Sequence, residues 1–131
     1  MTEGSGDVPC VGAIVRDRSG RLLLVRRANE PGAGLWAVPG GRVEPGETDH
    51  EAVVRETAEE TGLVVRAGPL AGEVVRGPYR IADYHCEPAG GRLRAGDDAA
   101  DVRWVDATEL ARLPLVEGLV EALTEWDALP G

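Results

Sequence analysis

Gly41-Arg-Val-Glu-Pro-Gly-Glu47-Thr-Asp-His-Glu-Ala-Val-Val-Arg55-Glu56-Thr-Ala-Glu59-Glu60-Thr-Gly62-Leu63 is the stretch around which the rest of the chain is organised. It opens as a loop punctuated by Gly41, Pro45 and Gly46 and continues as a short helix with both ends marked. Thr48 and Glu51 have the spacing at which side chain and backbone cap each other at a helix start. Gly62 suits the left-handed residue that closes many helices.

On that helix Glu56, Glu59 and Glu60 stand at i, i+3 and i+4, so their carboxylates share one face. Such a cluster is unfavourable alone: like charges at this spacing cost roughly 0.2–0.5 kcal/mol per pair, and Arg55, four residues before Glu59, relieves only part of it. A hard divalent cation relieves the rest. Mg²⁺ takes oxygen ligands, keeps several waters, and is usually held by one or two carboxylates together with substrate phosphate. The plain alternative is a solvated acidic face.

Gly41, Glu47, Arg55, Glu56, Glu59, Glu60 and Gly62 fall in the spacing Gly-x5-Glu-x7-Arg-Glu-x-x-Glu-Glu-x-Gly, which resembles the signature box of the Nudix hydrolases. Thr57 departs from it, standing where the family usually carries a larger aliphatic, a difference that bears on helix packing and not on chemistry. The resemblance continues outside the box in Leu35-Trp36-Ala37-Val38-Pro39-Gly40, in Val102-Arg103-Trp104-Val105 and in Glu109-Leu110, and so spans nearly the whole chain. It implies an α/β/α sandwich with a mixed sheet. It also implies Mg²⁺, with Mn²⁺ able to substitute, held by Glu56, Glu59 and Glu60, with a carbonyl of Gly40 or Gly41 and a downstream carboxylate, Asp98 ahead of Asp97, completing the shell. Arg26 or Arg27 would meet substrate phosphate. Arg55 would orient Glu56, Glu47 would hold the loop against the helix or contact a second metal, and the general base stays open among Glu56, Glu47 and Asp98.

Length and composition set the frame. The 131 residues suit one domain, with a frayed polar tail over residues 1–7, large enough to bury a core without disulfides. No apolar run is long enough to span a bilayer, and the acidic, glycine-containing N-terminus lacks the basic and then apolar order of a signal peptide, so the cytoplasm is the expected compartment. A formal charge of −9 argues against a nucleic-acid polymer as partner and fits a small phosphorylated substrate arriving as its magnesium complex. A homodimer stays open as the assembly. Every basic residue other than histidine is arginine, and phenylalanine is absent, a bias that carries no functional information. Cys10 and Cys86 lack metal-type spacing and are expected as buried free thiols. His50 and His85 lack a second ligand at metal spacing.

Taken in order, residues 9–16 and 21–27 read as apolar strands joined by a turn at 17–20, a hairpin buried on both faces. Residues 28–34 form a loop with turn chemistry throughout, and 35–38 a short strand feeding the glycine pair. After the box, strand pieces at 64–66 and 73–76 flank a turn at 67–69, and a further strand covers 79–86 with partial alternation. Residues 87–96 are a glycine-rich loop, 101–105 a strand. Asp106 caps a helix running to Arg112. Beyond Pro114, Val116, Leu119, Val120, Leu123 and Trp126 form the core-facing stripe of a last helix.

The reaction this implies is hydrolysis of a diphosphate linkage in a nucleoside diphosphate joined to a second group, ADP-ribose or similar. The alternatives are pyrophosphate release from nucleoside triphosphates, diadenosine polyphosphate cleavage and, from another class, a non-catalytic nucleotide sensor. Trp36, Tyr79 and Tyr84 are the aromatics able to stack on a base, with packing the better use of Tyr84. The position past the box that resembles a substrate marker holds Pro78 and Tyr79 side by side, and so does not choose between substrates.

Overall fold

The computed structural model describes residues 5–96 and 98–131. Most of the tail expected over 1–7, and Asp97, lie outside the described residues.

The strands belong to two sheets. Strands β1 (Val8–Val15), β4 (Gly40–Arg42), β5 (Leu63–Arg76) and β6 (Tyr79–Gly91) make a mixed sheet in the order β4-β1-β6-β5, with β1 and β6 parallel and the other pairs antiparallel. Strands β2 (Leu22–Arg27), β3 (Trp36–Ala37) and β7 (Ala99–Val105) make an antiparallel sheet in the order β3-β2-β7. The hairpin expected of the first two strands is therefore corrected. Asp17 does close a turn, its Oδ1 accepting from the Ser19 and Arg21 amides at 2.9 Å each, but after a single bridge between Arg16 and Leu22 the strands part into different sheets. Each is apolar on both faces, as read from sequence, because each lies between two cores.

Helix α1 (Asp49–Thr61) covers one core, where Ala52 and Val53 pack on Val11, Ala13, Val15, Leu23, Val65 and Cys86. Fully burying a side chain of valine or leucine size contributes roughly 1.5–3 kcal/mol. The second core joins Ile14, Leu22, Leu24, Trp36 and Val105 to helices α2 (Ala107–Leu110) and α3 (Leu119–Glu125), giving helices on both sides of the sheets. Both capping boxes form: Thr48 with Glu51, and Asp106 with Glu109. Gly62 ends α1 in the left-handed region at φ 76°.

Four boundaries differ from expectation. β5 runs unbroken through the expected turn at 67–69, which becomes an irregularity in its pairing with β6 between Ala67 and Leu70, where Pro69 has no amide to donate. β6 continues to Gly91, into the expected loop, because the first residues of β5 supply a ladder for it: Leu63 lies opposite Gly91 and Val64 opposite Gly90. α2 stops before Arg112. α3 begins after Val116 and buries Leu119 and Leu123, while Val120 is exposed, so the apolar stripe is narrower than the sequence pattern.

Cys86 is buried and its thiol is pushed up to about 12 by that burial, whereas Cys10, expected to be buried, is only partly so. Tyr84 has the packing role expected of it: its hydroxyl donates to Asp49 Oδ2 at 2.6 Å, and His50 meets its ring edge-on. Among the described residues no helix is long and apolar enough to cross a membrane.

Candidate active site

Helix α1 lies behind the β4 turn so closely that side chains are excluded there. A Cβ on Gly41 would collide with the Glu56 carboxyl, and one on Gly40 with the Val11 carbonyl. The Gly40 amide donates to Glu60 Oε1 at 2.9 Å, fixing that carboxylate under the turn. The two glycines thus serve a close approach, as their position in the sequence requires.

Arg55 braces this arrangement, but mainly through a residue other than the one expected. Its Nε donates to Glu47 Oε2 at 2.6 Å and its second terminal nitrogen to Glu47 Oε1 at 2.9 Å, a bidentate pair. Its other nitrogen reaches Glu56 Oε2 at 3.2 Å and Glu59 Oε1 at 3.1 Å. The hydrogen bond to Glu47 is also the largest cause of the raised Arg55 pKa. Glu47 accordingly holds loop to helix. The Arg55 side chain, helped by the Glu44 contact, brings Glu47 down to about 2.

The opposite shift marks the acids behind the turn. Burial pushes Glu60 up to about 7, with the Gly40 amide opposing and Glu56 adding to the rise. Burial also raises Glu56, against the pull of Arg55 and with the charges of Glu59 and Asp98 adding to it. Glu56, Glu60 and Asp98 line one hollow of about 250 Å³ together with Arg27, Asn29, Val38, Gly40 and Gly41.

Asp98 reaches this hollow through the end of α1. The amides of Arg92, Arg94 and Gly96 donate to the carbonyls of Gly62, Thr61 and Glu60, groups that a helix end leaves without internal partners. A Cβ on Gly96 would strike the Glu59 carbonyl, so the chain lies directly on the helix and arrives at Asp98 beside the acids.

The sequence-derived residues thus divide. Glu56, Glu60, Asp98, Gly40 and Arg27 come together around the hollow, while Glu59 stays with Arg55 at its rim with a largely exposed side chain. Arg26 does not join them: it faces the other side of β2, opposite Trp36 and Asp101, because neighbouring residues of a strand point apart. Trp36 is only 3% exposed and carries the Arg103 guanidinium 5.0 Å from its ring centroid, so it is a core residue and is not free to stack on a base. Tyr79 is held by Arg42, whose guanidinium donates to its hydroxyl at 3.2 Å, and does not line the hollow.

A second hollow, also about 250 Å³, opens between the sheets and shares Arg27, Val38, Gly40 and Gly41 with the first. Its walls include Val74, Ile81, Leu119 and Trp126, with Asp83 among them. In the sequence Trp126 belongs to the core-facing stripe and Asp83 is one position of the alternating strand 79–86, so neither is marked there as lining a site. The available signal is the acidic Asp83 between Ala82 and Tyr84, on a strand that also carries Ile81 and Cys86.

Among the described residues no three acidic, histidine or cysteine side chains converge tightly enough to hold a metal by themselves. The donors behind the turn are nonetheless oxygen only, with the burial-raised carboxyls of Glu56 and Glu60 sharing a concavity with Asp98. This suits a hard divalent cation that takes its remaining ligands from phosphate and water.

A mixed sheet between helices, with a glutamate helix braced by arginine behind a glycine turn, is the architecture of the Nudix hydrolases. Residues 7–126 match the NUDIX domain, and the chain belongs to that family. It is 41% identical over 118 residues to an ADP-ribose pyrophosphatase of Methanocaldococcus jannaschii, covering 84% of this chain and 69% of that protein. It is 32% identical to the CTP pyrophosphohydrolase of Escherichia coli K12, covering 93% of each. Its fold is similar to that of a bifunctional NMN adenylyltransferase/ADP ribose pyrophosphatase of Francisella tularensis solved with AMP and a Mn ion, with TM-score 0.72 and 26% identity over 91% of this chain and 40% of that one.

Proposed function

We propose that this Nudix hydrolase cleaves the diphosphate linkage of a nucleoside diphosphate joined to a second group, with ADP-ribose as the representative substrate. The observation that carries the reading is the junction of an acidic, oxygen-lined hollow with an apolar one through shared residues, which gives a phosphate end and a nucleoside end to one cleft. The similarity to an ADP-ribose pyrophosphatase supports it.

Glu56 and Glu60, with Asp98, would hold a divalent cation, Mg²⁺ or Mn²⁺. When bound, it supplies charge neutralisation at the phosphates and raises the acidity of water. Arg27, which lines both hollows, would meet a phosphate oxygen where they join. Among Glu56, Glu47 and Asp98, Glu56 is the carboxylate assigned to take a proton from the attacking water, since it lines the hollow and burial raises its basicity, while Glu60, raised further, has an oxygen tied to the Gly40 amide. Glu47, lowered to about 2 and tied to Arg55, is the poorest base of the set. Its task is to hold Arg55, which in turn fixes the direction of Glu56. The substrate is a small nucleotide derivative, consistent with the cytoplasm, and the net charge of −9 disfavours a nucleic-acid polymer.

A second reading, pyrophosphate release from a nucleoside triphosphate, is favoured by the end-to-end similarity to a CTP pyrophosphohydrolase. Product chromatography on ADP-ribose, nucleotide sugars, dinucleoside polyphosphates and nucleoside triphosphates with Mg²⁺ decides between them. AMP plus ribose 5-phosphate as the preferred products supports the first reading. Pyrophosphate at much higher kcat/KM from a triphosphate overturns it in favour of the second.

A further inference from the structure

Asp83 stands near the middle of β6, opposite Gly12 of the parallel strand β1, and is only 7% exposed. Its Oδ1 is buried and, among the described residues, has no hydrogen-bond partner. A Cβ on Gly12 would collide with that oxygen, so the glycine is what leaves room for the carboxyl. The same carboxyl lines the hollow between the sheets, among Val38, Val74, Ile81, Leu119 and Trp126. A buried polar group is costly unless a hydrogen bond compensates it, and among the described residues Oδ1 finds none. An acceptor held in an apolar wall beside an indole is the arrangement that orients a flat heterocycle.

Resting on the reading of this site as a nucleotide hydrolase, we infer that Asp83 reads the base: Oδ1 accepts an N–H from an exocyclic amino group and so selects aminated nucleobases over their deaminated counterparts. Replacing the amino group by a carbonyl sets oxygen against oxygen at that point. Adenine, cytosine and guanine carry the amino group, and their deaminated counterparts hypoxanthine, uracil and xanthine carry a carbonyl in its place. Burial pushes Asp83 up to about 6, so the carboxyl is able to offer a proton to a basic ring nitrogen beside the amino group or to accept a second N–H.

The test is equilibrium binding of AMP, IMP, GMP, XMP, CMP and UMP by calorimetry, with no turnover required, in the wild-type protein and in Asp83→Leu, Asp83→Ala and Asp83→Asn. The wild type should bind AMP more tightly than IMP, GMP more tightly than XMP, or CMP more tightly than UMP, by on the order of tenfold or more, the effect of leaving one buried polar group unpaired. The pair that shows the difference identifies the ring. Asp83→Leu, or Asp83→Ala where the leucine variant does not fold, should bring each pair within about threefold by raising the deaminated ligand relative to the aminated one. Asp83→Asn keeps an oxygen acceptor in place and should retain the preference. Equal binding of all pairs by the wild type, an unchanged preference in Asp83→Leu or Asp83→Ala, or its complete loss in Asp83→Asn overturns the inference. Absence of hydrolysis of every nucleotide by the wild type, alongside a base preference in binding, overturns the proposed activity and leaves the inference standing.

Discussion

The two hollows share four lining residues and differ in how each treats carboxylates. On the phosphate side the acids are many and braced: Arg55 spans Glu47, Glu56 and Glu59, and a backbone amide holds Glu60. On the apolar side Asp83 is buried, with its Oδ1 unpaired among the described residues. The same chemical group consequently titrates over a wide range, from about 2 at Glu47 to about 6 at Asp83 and about 7 at Glu60. Hydrogen-bonded pairing sets the low end and burial the high end. Charge alone, as counted along the sequence, does not distinguish them.

The largest effect should come from removing charge on the braced side. Glu60→Gln keeps shape and folding but should lower kcat/KM by about 100- to 1000-fold in steady-state assays with limiting Mg²⁺. Glu59→Gln, at the rim, should cost less. Near-wild-type turnover by the Glu60→Gln protein would remove this residue from the site.

On the unbraced side the readout is stability. Asp83 titrates at about 6 when folded, above its ordinary value near 3.8, so the folded state binds the proton more tightly than the unfolded chain. Its contribution is fully present below about pH 4 and is lost as pH rises through about 6. Asp83→Asn should therefore be more stable than wild type at pH 8 by about 3 kcal/mol, with the gap closing toward pH 4. Urea denaturation at both pH values measures this, and a gap independent of pH would mean that the carboxyl does not titrate as its burial requires.

The brace itself is probed by Arg55→Ala, which should lower kcat by about 100-fold while KM changes little, because the residue positions Glu56 and does not touch substrate. A rise in KM alone would make it a binding residue. The smallest effect is expected at Thr57, wholly buried on α1 with its hydroxyl oxygen unpaired among the described residues. Thr57→Val removes an unsatisfied polar atom at nearly constant volume and should stabilise the protein by about 1 kcal/mol in thermal melts, without changing kcat.

What was legible in the sequence was local. The helix α1 with Thr48, Glu51 and Gly62 at its ends is set by residues a few positions apart, and so were the acids on its one face. The parting of β1 from β2 was not legible, since a strand buried on both faces has the same apolar run whether it pairs with its neighbour or lies across from it. Arg55 finding Glu47, and Asp83 facing Gly12, are pairings between distant segments that no spacing rule encodes. Arg26 and Trp36 lie away from the hollow for a related reason: β2 and β3 are legible as strands, but the face that each residue shows the site is not.

The docking of residues 92–96 on the end of α1 has a mechanical meaning. Three amides from a stretch with no regular structure are fastened to the last carbonyls of the helix that carries Glu56 and Glu60. Asp98, directly before β7 and with its carbonyl accepting from the Ala28 amide at 3.3 Å, is thus tied to both the helix end and the second sheet, even though the sequence separates it from the box by a pair of long strands. A shift of the last turn of α1 pulls on residues 92–96, and the helix end and this stretch form one coupled body. Slow amide exchange at Arg94 and Gly96, in step with the last turn of α1, is the signature that such a coupled body leaves in solution.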